Sequence, residues 1–293
     1  MSLHKPTLFA GACTALITPF RDGEIDYPAL KELIEMQLEG DISAILVAGT
    51  TGESATLSTK EYHDLTAFAK QQIKGRVPLI TGCGSNSTAH AIELAKAACA
   101  GGADALLAVT PYYNKASDRG LLLHYRALAD AAERPLILYN GPSRTGYHIT
   151  MKLYRELATH ENIVAVKEAS GDLSLMEALC FQCGEDLDIY CGNDEQTVAS
   201  MKLGAKGVIS VCSNLMPREM VQICRHCLAG EYRQAGARQH AIYEKIRALF
   251  WEVNPIPVKY VASLMGLCAP EYRLPLCPPA GDTAKKLKKM FFE

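Results

Sequence analysis

Three scarcities in this sequence of 293 residues each exclude a class of function. Charge of one sign is the first: 30 Lys and Arg against 32 Asp and Glu leave a formal net charge of −2. Such a balance carries no footprint for nucleic acid or an anionic membrane, although single cations can still meet small anions. Long apolar runs are the second, since no uncharged stretch reaches the ~18 apolar residues that a membrane span requires. Linkers are the third, because no long Gly/Ser segment or repeat boundary divides the chain. With 48% hydrophobic and 21% charged residues, the composition is that of a folded, soluble protein whose partners are small molecules.

Cysteine, by contrast, is plentiful. Eleven residues, an odd number, are scattered through apolar segments such as Gly11-Ala12-Cys13-Thr14, which suits reduced thiols in the cytoplasm better than a disulfide framework. Cys180/Cys183 and Cys224/Cys227 form two CxxC pairs, a possible zinc site. Both lie in helical patterns without a turn glycine, and about forty residues separate them, so buried thiols and no metal are expected. Residues 6–20 are uncharged and follow His4-Lys5, which mimics a short signal peptide. The first strand of a fold is the better account of them.

Short apolar runs ending in Gly, Thr, Asn or Ser recur along the chain: Ala12–Thr18, Ser43–Gly49, Pro78–Gly84, Ala105–Thr110, Pro135–Asn140, Val164–Ser170, Leu187–Gly192 and Gly207–Val211. Their starts lie about 20–35 residues apart, the span of one strand, loop and helix. Helical patterns fill the gaps. Leu30, Leu33, Ile34 and Leu38 form one stripe after an Asp26 or Tyr27 cap with Pro28 in the first turn, and Ser58 with Glu61 matches a capping box. Eight nearly continuous apolar strands alternating with helices predict a closed (β/α)8 TIM barrel over an open doubly wound sheet, and no GxGxxG follows the first strand. The barrel is expected over residues 1–230. A C-terminal helical region, 231–293, should pack on it as one helix over Glu231–Val253, one opened by Asn254-Pro255-Ile256-Pro257, and one from about Pro279 to Phe292.

Within strand six, Lys167 interrupts the run Val164-Ala165-Val166-Lys167-Glu168-Ala169-Ser170. Burial disfavours its charged form and frees the amine as a nucleophile, which is what Schiff-base chemistry needs. A rim lysine paired with a carboxylate is the structural alternative. Alternation sends Glu168 to the other side of the strand, so it cannot be the inward partner. The reactive face of such a barrel is the C-terminal end of the strands. There, Gly49-Thr50-Thr51-Gly52 offers N–H groups and hydroxyls to an anion, or merely satisfies its own turn. Tyr113 and Tyr139, at the ends of strands four and five, are phenols able to move protons at an imine, and Arg144 can grip a carboxylate by two hydrogen bonds.

These residues resemble a known family. Gly49-Thr50-Thr51-Gly52-Glu53-Ser54, Thr110-Pro111-Tyr112-Tyr113-Asn114, Tyr139-Asn140 with Pro142-Ser143-Arg144-Thr145-Gly146, Val166-Lys167-Glu168-Ala169, Gly207-Val208-Ile209-Ser210-Val211 and Asn254-Pro255-Ile256-Pro257-Val258-Lys259 look, in order and over almost the whole chain, like dihydrodipicolinate synthases of the class I pyruvate-dependent aldolase superfamily. The resemblance implies a lyase of diaminopimelate and lysine biosynthesis that joins pyruvate to L-aspartate 4-semialdehyde. It needs no cofactor beyond the covalent imine on Lys167. The same resemblance makes Tyr139 the proton shuttle, linked through Thr51 to a Tyr113 that crosses a tight dimer interface. Thr50 and Thr51 hold the pyruvate carboxylate, Arg144 the carboxylate of the second substrate, and Gly192 and Ile209 line the pocket. A homotetramer of two tight dimers is implied too.

Two positions depart from the family pattern. Gly141 stands where an aliphatic residue is frequent, which predicts a more mobile turn. Lysine-inhibited members bind their effector in a pocket matching Ser54, Ala55, Thr59, Tyr62, Asn86, His90 and Tyr112, with a glutamate at the position of His90. A histidine cannot replace that anion, so weak or absent lysine feedback is expected. The alternative is another enzyme of the superfamily, such as N-acetylneuraminate lyase or a 2-keto-3-deoxy sugar acid aldolase, using the same lysine and tyrosine. Arg144 and the paired Thr50 and Thr51 speak against it, since sialic-acid lyases resemble this pattern at the lysine but not at the arginine. A catalytically silent barrel should have lost one of Thr51, Tyr113, Tyr139, Arg144 or Lys167.

Overall fold

A computed structural model describes residues 5–293; His4 lies outside them. Eight parallel strands close into a barrel: β1 (Gly11–Ala15), β2 (Ala44–Val47), β3 (Leu79–Gly82), β4 (Ala105–Val109), β5 (Leu136–Asn140), β6 (Ile163–Glu168), β7 (Asp188–Cys191) and β8 (Gly207–Ser210). Each pairs with its successor, and β8 returns to β1 through Gly11↔Gly207 to Thr14↔Ser210. Every strand coincides with one of the eight apolar runs. The runs are continuous because helices cover one face and the filled interior the other.

Helices α1 (Tyr27–Glu39), α2 (Thr59–Ile73), α3 (Thr88–Ala100), α4 (Asp118–Ala131), the single turn α5 (Pro142–Thr145), α6 (Met151–Ala158), α7 (Leu173–Cys183), α8 (Thr197–Lys202) and α9 (Pro217–Leu228) accompany the strands. Their starts are chemically marked. Asp26 accepts from the amide of Ala29, and Ser58 and Glu61 form the reciprocal capping box. The barrel interior packs Cys13, Ala15, Leu46, Ile80, Leu107, Ile137, Tyr139, Tyr190 and Ile209, each from the inward set of its strand. Its lower end is closed where Phe9 stacks on Tyr190 at 4.1 Å between ring centroids. What remains open is the C-terminal end of the strands.

The tail differs from expectation in its first helix, which is broken and ends at Ala248 rather than Val253. The stretch read as one helix over Glu231–Val253 is two, α10 (Tyr232–Ala241) and α11 (Tyr243–Ala248), broken at Ile242. No Gly or Pro marks that break; Ile242 leaves helical geometry (φ −112°, ψ 7°) while its side chain stays buried. Helices α12 (Ile256–Leu264) and α13 (Gly281–Phe292) follow. A small hairpin, Phe20–Arg21 against Glu24–Ile25, also went unpredicted. Its turn, Asp22-Gly23, has positive φ at both residues, the geometry a two-residue hairpin loop demands.

Candidate active site

Lys167 and Tyr139 are register partners on β6 and β5, and both point into the barrel near its open end. Lys167 is only 7% exposed and Tyr139 8%, and the Lys167 Nζ stands 4.5 Å from the centroid of the Tyr139 ring. Glu168 faces the other way, accepting from Asn140 Nδ2 at 2.8 Å, Tyr154 OH at 3.1 Å and the amide of Ser170 at 2.7 Å. It belongs to the packing between sheet and helices, and no carboxylate on the inward face of its own strand pairs with the amine.

Two glycines make room for this pair. A Cβ at Gly192, beyond the end of β7, would lie 3.1 Å from Lys167 Cε and 2.5 Å from Ala169 Cβ. At Gly141 a Cβ would come within 3.0 Å of the Tyr139 ring. Gly141 itself has an ordinary φ of −131°, so its use here is space for the phenol rather than unusual backbone. Ile209, fully buried in the interior, completes the floor.

Beyond β2, the amides of Gly52, Glu53 and Ser54 close a turn onto the carbonyls of Gly49 and Thr50. Among the described residues no hydrogen bond uses the amides of Thr50 and Thr51, which leaves them for an anion. Glu53 adopts left-handed geometry (φ 55°) in this turn. Both its oxygens are engaged, Oε1 by the fully buried Lys259 Nζ at 2.5 Å and Oε2 by the amide of Arg273 at 3.1 Å. Burial lowers the Lys259 ammonium, and the Glu53 charge opposes that shift.

Arg144 lies on the one-turn α5, its Nη2 donating to the carbonyl of Asn254 at 3.1 Å. A cavity of about 300 Å³ joins Thr50, Arg144 and Asn254 to Ser54, Ala55, Tyr62, His90 and Tyr112. Thr59 and Asn86 do not line it: Thr59 donates to Glu93 and the carbonyl of Asn86 accepts from Asn114. Tyr113 stands apart, 92% exposed and in left-handed geometry (φ 72°).

Sequence reasoning quoted Glu53, Asn254 and Lys259 within motifs but gave them no task. Glu93 was missed as well; it hydrogen-bonds His90 at 3.2 Å, and the i,i+3 spacing on α3 was the available signal. So was Asp194, whose Oδ2 accepts from the amides of Val211 and Cys212 at 3.0 and 2.8 Å. Burial raises its carboxyl, against those hydrogen bonds and, more weakly, the charge of Lys167.

A barrel with a buried lysine at the end of its sixth strand, a phenol over it and an anion-ready turn opposite agrees with what comparison finds. The model of the dihydrodipicolinate synthetase family matches residues 8–292. The chain belongs to that family. It is 44% identical to the 4-hydroxy-tetrahydrodipicolinate synthase of Geobacter metallireducens, over 98% of this chain and 99% of the relative. The crystal structure of dihydrodipicolinate synthase from Aquifex aeolicus superposes with a TM-score of 0.94 at 41% identity, covering 96% of each chain. That of the Acinetobacter baumannii dihydrodipicolinate synthase complexed with pyruvate gives 0.94 at 41% identity, covering 97% of this chain and 98% of the other. Membership in the dihydrodipicolinate synthetase family makes the chain a lyase of the class I aldolase type with 4-hydroxy-tetrahydrodipicolinate synthase function. All eleven cysteines are free thiols, and among the described residues no helix is long and apolar enough to cross a membrane.

Proposed function

We propose that Lys167 attacks C2 of pyruvate and carries it as an imine, and then as an enamine, to the aldehyde carbon of L-aspartate 4-semialdehyde. The observation that carries this is the buried amine set against the Tyr139 ring, with no carboxylate on the inward face of its strand to hold it as an ion pair. Tyr139 protonates the carbinolamine oxygen, which leaves as water. The unused amides of Thr50 and Thr51 take the pyruvate carboxylate, and Arg144 takes that of the second substrate. The amino group of that substrate then displaces Lys167 and closes the ring, giving 4-hydroxy-tetrahydrodipicolinate. No cofactor takes part. Residues 1–230 supply the reacting groups and 231–293 brace them.

Tyr113, exposed and turned from its own site, completes the site of a partner subunit through Thr51, within a tetramer of two tight dimers in the cytoplasm. Lysine feedback is weak or absent. Among the residues lining the cavity Glu53 is the one carboxylate, and both its oxygens are committed, while Glu93 outside it is held by Thr59 and His90.

One experiment tests the reading. Steady-state turnover of pyruvate with L-aspartate 4-semialdehyde is measured with and without L-lysine, beside borohydride trapping with pyruvate. Lys167 should gain the reduced pyruvate adduct, and Lys167→Ala should fold yet lose nearly all turnover. Absence of the adduct sinks the imine. Half-inhibition by L-lysine below about millimolar, a typical effector affinity, sinks the feedback claim alone.

A further inference from the structure

Asn254 stands between α11 and α12, in the run Asn254-Pro255-Ile256-Pro257, and is 6% exposed. Its side-chain Nδ2 donates to Thr51 Oγ1 at 3.0 Å, from 203 residues away in sequence. Its backbone carbonyl accepts from Arg144 Nη2. One residue of the C-terminal region therefore touches the hydroxyl at the head of β2 and the arginine beyond β5.

A threonine hydroxyl has one proton to give and two lone pairs to receive with. Because Asn254 donates, Thr51 keeps its proton for another acceptor. Asn254 Oδ1 is buried without a partner. Turning the amide over would pair that oxygen with Thr51 but strand both Nδ2 hydrogens, and a buried N–H without an acceptor is the rarer arrangement.

We propose that Asn254 is a positioning residue for proton transfer: it fixes Thr51 as a donor toward Tyr139 and ties that direction to the placement of Arg144. This rests on the roles given above to Tyr139 and Thr51. When Tyr139 has given its phenolic proton to the carbinolamine oxygen and water has left, the Thr51 proton moves to the Tyr139 oxygen. Thr51 is refilled from Tyr113, and Tyr113 from bulk water. A group at 254 that takes the Thr51 proton blocks this refilling while leaving the Lys167 amine able to form its first imine.

Asn254→Asp is the test, since a carboxylate of the same shape can only accept. Its kcat should fall about 100-fold at neutral pH, the scale of a lost proton-transfer group, with pyruvate still trapped on Lys167 by borohydride. Acid should restore about tenfold of that loss, because the protonated carboxyl donates again. Asn254→Ala should lose about tenfold in kcat with little change in the KM for pyruvate and no recovery in acid. The inference is overturned if Asn254→Asp turns over like the wild type, or if the two variants lose equally with flat pH profiles. An Asn254→Ala variant of unchanged kcat overturns it even where the Asp variant fails to fold. A wild-type enzyme that traps no pyruvate removes the imine reading itself, and this inference with it.

Discussion

His124 on α4 is buried with its Nδ1 against Thr88 Oγ1 at 2.9 Å and its Nε2 without a partner, beside the edge of the Tyr125 ring. Burial alone lowers its pKa from the ordinary value of 6.5. The sign follows from linkage. As pH falls through 6.5 the unfolded chain takes up this proton and the folded one does not, so stability present above that pH is lost below it, down to the lower folded value. One proton sets the limit at ~1.4 kcal/mol per pH unit. His124→Gln, which keeps a partner for Thr88, should therefore lose less stability than the wild type between pH 7 and 5 in denaturant titrations. Parallel losses in the two proteins would mean that His124 is not the titrating group. Gly141 makes a related point at the same scale: a Cβ there would come within 3.0 Å of the Tyr139 ring, so the residue gives the phenol its space.

At the scale of elements, α12 and the segment after it hold the turn beyond β2. The fully buried Lys259 pairs with Glu53 and lies 4.1 Å from the ring centroid of Phe20 and 5.2 Å from that of Tyr272. Arg273 adds bonds to the carbonyl of Thr56 at 3.0 Å and to Glu61 at 2.5 Å. Removing one member of such a pair strands a buried charge, which costs about 3–5 kcal/mol. Lys259→Met should lose that much in chemical denaturation and raise the KM for pyruvate, because the left-handed Glu53 loses the contact that holds its turn. Adding Glu53→Gln should recover part of the stability. A single variant within about 1 kcal/mol of wild type, the worth of an exposed pair, would show the ion pair to be dispensable.

Elements were also where the sequence was most legible. Strands covered on both faces must be apolar throughout, so Ala105–Val109 or Leu136–Asn140 announced themselves. The hairpin at Phe20–Ile25 did not, since two-residue strands show no periodicity, although Asp22-Gly23 was a readable turn signal. The break at Ile242 has no local signal, and burial of its side chain is a tertiary effect. Lys167 stood out because a charge in an apolar run is locally anomalous. Asn254 with Thr51 and Lys259 with Glu53 are 203 and 206 residues apart, and single-chain patterning carries no information about such pairs.

At the scale of the whole molecule, Tyr113 is the residue that a lone chain does not explain. Left-handed geometry for a bulky residue costs about 1–3 kcal/mol and persists where the surroundings require it. Yet Tyr113 is 92% exposed, beside a Tyr112 that is 36% exposed, and among the described residues no hydrogen bond of its side chain repays the strain. The insertion into a partner subunit proposed above would supply the missing reason. On that proposal the site is composite, with Lys167 from one chain and Tyr113 from the other. Tyr113→Phe should then lose about 10²–10⁴-fold in turnover while still trapping pyruvate on its intact Lys167. Two inactive variants should rescue one another. In a pair formed from Tyr113→Phe and Lys167→Ala, one site has both mutant residues and the other has neither. Random mixing makes half of the pairs hybrid with one of two sites intact, so about a quarter of wild-type activity should return. If Tyr113 served its own chain, every site in the mixture would lack one group and nothing would return. Activity measured after co-expression of the two variants thus decides between a relay across the interface and one confined to a single barrel.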